Sequence, residues 1–208
     1  RQGIEATALR WRESVGHRLR DTCLVILLIH PTLSGYAFSF FNCKFVEELG
    51  GSEELNNKTG TYYMVADYSL KCFDDRYYGH MVLAISIIVL FSLGIPLFFA
   101  VVLWRHRTRL QDDRTKRLLG MLYSSYTPKA YWFESVQMLF KLALWASLSF
   151  VEDPQIKLAL AQLNCFLQVA LHAKLLPFNT AFKNAMQAFS LVLSFMVSFG
   201  GVIINYLK

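Results

Sequence analysis

Glu134, Gln137 and Lys141 stand at i, i+3 and i+7, the spacing that puts three side chains on one face of a helix. They interrupt an apolar run, Tyr131–Phe150, and Lys141 falls near its middle. A lone ammonium in hydrocarbon needs a carboxylate, carbonyls or water, so the chemistry on offer is charge placement inside a membrane. Glu134 lies about two turns from Lys141, so each is expected to meet a group on a neighbouring helix. Two further stripes follow. Asn164, Gln168 and His172 repeat at steps of four, and Gln187, Ser190, Ser194, Ser198 and Gly201 repeat at steps of three or four. Such faces line a water-filled path or a ligand cavity, or they let helices approach and bridge one another; the sequence leaves both readings open.

Covalent chemistry has no comparable support. There is no phosphate-binding glycine loop, no His-x-x-x-His pair and no paired-cysteine metal pattern. Asp74-Asp75 and Asp112-Asp113 read as hydrated loop carboxylates, and Asp74-Asp75 lacks further oxygen ligands nearby for calcium. No enzyme, cofactor or metal centre is expected.

The elements that must position these residues are apolar. Five stretches, Thr22–Phe41, His80–Trp104, Tyr131–Phe150, Ile156–Leu176 and Phe182–Tyr206, are each about the ~20 residues that cross a bilayer as a helix. The chain is 54% apolar and only 17% charged, and the charge sits between the runs. The expected fold is an all-α polytopic membrane bundle of about five transmembrane helices, residues 22–208, with an outer loop at 42–79 stapled by a disulfide. Residues 1–21 precede it as a basic juxtamembrane segment. That segment reads as an amphipathic helix on the membrane surface, with Ile4, Ala8, Trp11 and Val15 on one side, or as a solvated linker.

Charge orients the bundle. Residues 1–21 carry five Lys or Arg and the 105–129 loop carries seven, whereas the 42–79 loop holds seven acidic residues. The basic segments are therefore expected at the cytoplasmic face and the 42–79 loop outside, at the plasma membrane or another membrane of the secretory pathway. Arg105, Arg107, Arg109, Arg114, Lys116 and Arg117 then meet the anionic inner leaflet. The net charge of +6 follows from this orientation, and nucleic acid is not an expected partner. Cys43 and Cys72 flank the outer loop, where an oxidising setting favours a disulfide over two free thiols. Asn57-Lys58-Thr59 is a glycosylation sequon in the same loop.

Prolines mark the helices. Pro31 and Pro96 lie inside spans and are expected to kink them, Pro154 opens the fourth span and Pro177 closes it. Beginning on Arg1 and stopping after an apolar run, the chain reads as an internal piece of a longer parent chain, in a homo-oligomer or an extracellular assembly.

An ordered set of local patterns carries a family resemblance. Phe41-Asn42-Cys43 follows the first span, and Ala66-Asp67-Tyr68-Ser69-Leu70-Lys71-Cys72 precedes the second. Gly94-Ile95-Pro96-Leu97, the Arg105–Arg109 run, Gly120-Met121-Leu122-Tyr123-Ser124-Ser125-Tyr126 and Tyr131-Trp132-Phe133-Glu134 come next. From Thr22 to Asn205 this order resembles the membrane region of TRP-like, polycystin-related proteins of protists, algae and fungi. The resemblance implies a cation-channel-like or sensory membrane module. No selectivity-filter-like turn separates any two spans, and the fourth span lacks an arginine ladder. A non-conducting anchor for a large extracellular assembly is the alternative.

Overall fold

The computed structural model describes residues 2–47 and 60–206, with the backbone alone at 2–17, 19, 205 and 206 and at Arg114. Asn57 lies outside the described residues, as do the side chains of the proposed amphipathic face at 4–15. The first helix, α1, runs Gln2–Ser39 without a break. Pro31 lies inside it, and the helix continues past it. A short three-stranded antiparallel sheet follows, β1 (Cys43–Glu47), β2 (Gly60–Met64) and β3 (Asp67–Lys71) in that order. Cys43 pairs with Met64 and Glu47 with Gly60, and a bulge between Tyr63 and Met64 shifts the β2–β3 register. The protein is therefore mostly helical rather than all-α, because the 42–79 segment builds its own sheet.

Cys43 and Cys72 form a disulfide at the foot of this sheet. Beneath it Met64, Cys72 and Tyr77 are buried, and Phe40 stacks on Tyr77 at 4.8 Å. Asp74 caps the next helix by accepting from the Tyr77 amide at 2.7 Å, so this carboxylate serves the backbone.

The second long helix has three parts: α2 (Asp75–Ile87), a π-helical turn (Ile88–Leu93) and α3 (Gly94–Arg105). The irregularity expected at Pro96 is thus a wide turn just ahead of it. Next, α4 (Asp113–Tyr123) occupies much of the stretch read as a basic loop. Gly120 lies within that helix. Thr115, Leu122 and Tyr123 are buried while Lys116 and Arg117 are exposed, so α4 is amphipathic. Its apolar side joins Phe99, Leu103, Leu110 and Met138 in the main core, with Cys23, Ile26 and Leu27 of α1 packed against it.

Helices α5 (Phe133–Phe150), α6 (Pro154–Leu175) and α7 (Ala181–Tyr206) complete the bundle. Asp153 caps α6, and Leu176 ends it in the left-handed region at φ 41° just before Pro177, as the prolines predict. The helix ends sort into two sets. Phe38 and Phe41 meet Phe150 at the sheet end, while α4 and the turns at 124–132 and 176–180 gather at the other.

Four helical segments, Arg20–Ser39, Asp75–Arg105, Pro154–Leu175 and Ala181–Ile204, are long and apolar enough to cross a membrane. The fifth expected span is not among them. Its helix, α5, has 18 residues and carries Glu134, Gln137 and Lys141, which lower its hydropathy. It compensates by position, since α1, α3, α4 and α6 all pack against it. Elsewhere the outward faces are apolar: Leu28 is 71% exposed, Leu90 75% and Val197 70%. A chain in water would gain by covering them.

Candidate functional site

Proline chemistry builds the most buried polar joint. Pro96 has no N–H to offer the carbonyl four residues back, that of Ser92. His30 of α1 fills that role, its Nε2 lying 3.0 Å from the Ser92 oxygen. A carbonyl only accepts, so Nε2 carries the hydrogen and, in the neutral ring, Nδ1 is left as an acceptor. The imidazole also stacks on Phe91 at 5.6 Å. His30, Ser34 and Ser92 are all 0% exposed. Among the described residues His30 Nδ1, Ser34 Oγ and Ser92 Oγ have no hydrogen-bond partner. Sequence reading missed all three. The signal was a His and a Ser four apart in the first span, facing a Ser four residues before a proline.

Lys141 lies within electrostatic reach of His30. Its side chain is exposed, and among the described residues it forms no salt bridge; the ion pair found there joins Arg20 and Asp21 at the surface. The partner expected on a neighbouring helix is thus not among the described residues. Glu134 does meet another element. It accepts the Tyr126 hydroxyl at 2.5 Å, tying the turn before α5 to its first helical turn. Gln137 is half-buried on the same helix.

Tyr126 sits at the centre of the second polar assembly. It bridges to Phe178, and the rings of Tyr126, Phe133 and Phe178 cluster within 6.4 Å of one another. Two backbone bonds, Thr127 N to Pro177 O at 2.7 Å and Asn179 N to Ser125 O at 3.0 Å, zip the 124–132 and 176–180 turns together. Asn179 Nδ2 donates to Ser124 O at 2.6 Å, and Lys183 Nζ approaches Ser125 Oγ at 3.4 Å. Burial, then the Glu134 charge, then the hydrogen bond to it hold the Tyr126 phenol above its usual range.

Tyr126→Phe is expected to cost roughly 1.5–3 kcal/mol, the range for a hydrogen bond to a charged group, read as a lower melting temperature. The pH sign follows from the raised pKa. The contribution is intact below the unfolded tyrosine value of about 10 and fades as pH rises beyond it. A melting series from pH 8 to 11 should therefore show a steeper decline for the native protein than for the variant.

The predicted stripes divide. Asn164 Nδ2 donates to Phe140 O at 2.9 Å, and Gln168 Nε2 donates to Asn164 Oδ1 at 3.0 Å, linking α6 to α5. His172 instead turns to α7, with Nε2 3.0 Å from Asn184 O. Along α7, Gln187 is half-buried. The Ser198 hydroxyl lies 2.9 Å from both Gln162 Oε1 and Phe195 O and donates to one at a time. Ser190 and Ser194 face outward, and Ser194 bonds back to Ser190 O on its own helix. These contacts are helix packing, and Gln162 was not singled out from sequence.

The described basic side chains Arg105, Arg107, Arg109, Lys116 and Arg117 are exposed at the α4 end, with Arg107 over the Trp104 ring at 5.2 Å. The Arg114 side chain lies outside the described residues. No family model, curated protein or solved structure matches the chain.

Proposed function

We propose that this chain is the sensory transmembrane bundle of a TRP-like cation channel, with α5 as a fifth span. The observation that carries the proposal is Lys141, an ammonium midway along α5 that faces outward, within electrostatic reach of His30, without a carboxylate partner among the described residues. In lipid such a charge requires a counter-group. The rest of the parent chain or a second subunit supplies it in this reading, so movement of that neighbour is felt at the π-helical turn. Wide turns of this kind recur at functional positions in helices. The ordered motifs from Phe41 to Glu134 favour the same family.

In this arrangement the sheet end is extracellular and Asn57 is glycosylated, while residues 1–21 and the α4 end face the cytoplasm. The exposed arginines and lysines there meet anionic inner-leaflet lipid at the plasma membrane. Packing of α5 among four helices shields Glu134 and Gln137 from hydrocarbon.

The test is the current carried by the full-length protein, compared with Lys141→Met at equal surface expression. The expected result is a shift in the activation range of roughly ten-fold in open probability, as loss of ~1.4 kcal/mol of state-dependent pairing would give. An identical current would reduce Lys141 to packing. No current from surface-expressed protein would leave the non-conducting anchor, which the disulfide-pinned sheet favours as a rigid outer platform.

A further inference from the structure

One face of α5 is charged at the depth where lipid tolerates charge least. Lys141, Trp145 and Leu148 follow one another at steps of four and three, so they share that face. Lys141 is exposed, Trp145 is 38% exposed and Leu148 37%. Gln137 stands one turn before Lys141; it is half-buried, and among the described residues its amide makes no hydrogen bond. From Gln137 to Leu148 is 11 steps (148 − 137), about 16 Å at 1.5 Å per residue, long enough to seat a second helix. In hydrocarbon every backbone group must be met internally, so a counter-charge reaches this depth on a helix.

Composition tells which helices cannot bring it. The five apolar runs contain one carboxylate, Glu134, and it accepts the Tyr126 hydroxyl at 2.5 Å. Copies inserted in the same orientation hold each residue at equal depth. The Glu134 of a second copy would therefore lie about 10 Å from Lys141 along the axis, seven steps (141 − 134) at 1.5 Å. Glu152 and Asp153 lie beyond the far end of α5. A second copy thus brings another ammonium to this depth, where like charges repel.

We infer that the Lys141–Leu148 face docks a transmembrane helix from outside residues 1–208 that carries one Asp or Glu at mid-depth. Its carboxylate pairs with the Lys141 ammonium. The Gln137 amide, one turn away, has donors and an acceptor to offer the same helix. Apolar contact along Trp145 and Leu148 completes the seat. The inference rests on α5 crossing the membrane, as proposed above, but not on ion conduction.

The probes are leucine-rich transmembrane peptides that differ only in one central residue, Glu, Gln or Lys, each carrying an acceptor dye. The 208-residue chain, donor-labelled, is reconstituted with them in vesicles. Energy transfer is expected at a roughly ten-fold lower peptide-to-lipid ratio for the Glu peptide than for the Gln peptide, the scale of one interhelical polar contact. Lys141→Met should abolish that preference. Lys141→Glu should move it to the Lys peptide, which a folding defect would not do. Equal transfer to the Glu and Gln peptides, or a preference that survives Lys141→Met, overturns the inference. So does transfer between donor- and acceptor-labelled copies of the chain that Lys141→Met weakens, since a second copy would then be the occupant. A lipid with a diazirine at its acyl end, irradiated without peptide, should label Trp145 and Leu148. Silence at both while outward Leu90 and Val197 are labelled would show that α5 lies outside lipid, and the proposed fifth span would fail along with the inference.

Discussion

Loss of the Cys43–Cys72 crosslink is expected to destabilise the protein by about 3–4 kcal/mol, the chain-entropy value for a closed loop of this length. The two cysteines are 29 positions apart, and the segment between them contains the whole sheet. Freed of the bond, the unfolded chain gains the entropy of that loop, and the folded chain relies on two short hairpin pairings and the contacts around Tyr77 to hold it. Cys72 is also buried against Met64 and Tyr77, so a serine there brings a hydroxyl into an apolar contact. Melting of Cys43→Ser/Cys72→Ser in detergent should match that of native protein under reductant, and reductant should not change the variant. A native melting temperature indifferent to reductant would show that the sheet is held by pairing and aromatic contacts alone.

Gly35→Leu should have an effect on the scale of that of Tyr126→Phe. A Cβ at Gly35 would sit 2.8 Å from Trp145 Cε2 and Cζ2, closer than atoms approach without displacement. The Trp145 ring is partly exposed and has room to yield a little, so Ala is tolerated better than Leu. A leucine must push α1 off α5, and overpacking of this kind costs roughly 1–3 kcal/mol. Trp145→Ala in the Gly35→Leu background should restore much of the melting temperature. If the double variant is no more stable than the single one, the close approach of α1 and α5 is not what fixes Gly35.

Elements bounded by local chemistry were legible in the sequence. Asp153-Pro154 and Leu176-Pro177 delimit α6 because a cap, a missing amide and a left-handed residue act within one turn. The Cys43–Cys72 pair was legible because both ends of the loop leave helices at one end of the bundle. The sheet was not, since β1 and β2 are separated by residues 48–59 and their pairing depends on contacts distant in sequence. The polar joint was hidden for a different reason. His30 meets a backbone carbonyl, which no residue type announces, and that carbonyl is free only because of Pro96. Lys141 and Glu134 were singled out as charges, but sequence could not show that Glu134 turns to Tyr126 while Lys141 faces outward.

The π-helical turn also keeps phase along the helix that contains it. At about 100° per residue, the 19 steps from Ala84 to Leu103 (103 − 84) would leave these two buried residues roughly 100° apart on a regular helix. The wide turn at Ile88–Leu93 takes up about one residue's worth of rotation, so Tyr77 and Ala84 before it and Phe99 and Leu103 after it all face the bundle. It works as a vernier between two helical halves whose apolar stripes do not align in a straight count. Deletion of one residue inside Ile88–Leu93 is therefore compatible with both buried faces, because 18 regular steps make five whole turns, whereas an insertion there would rotate one half's stripe out of the bundle.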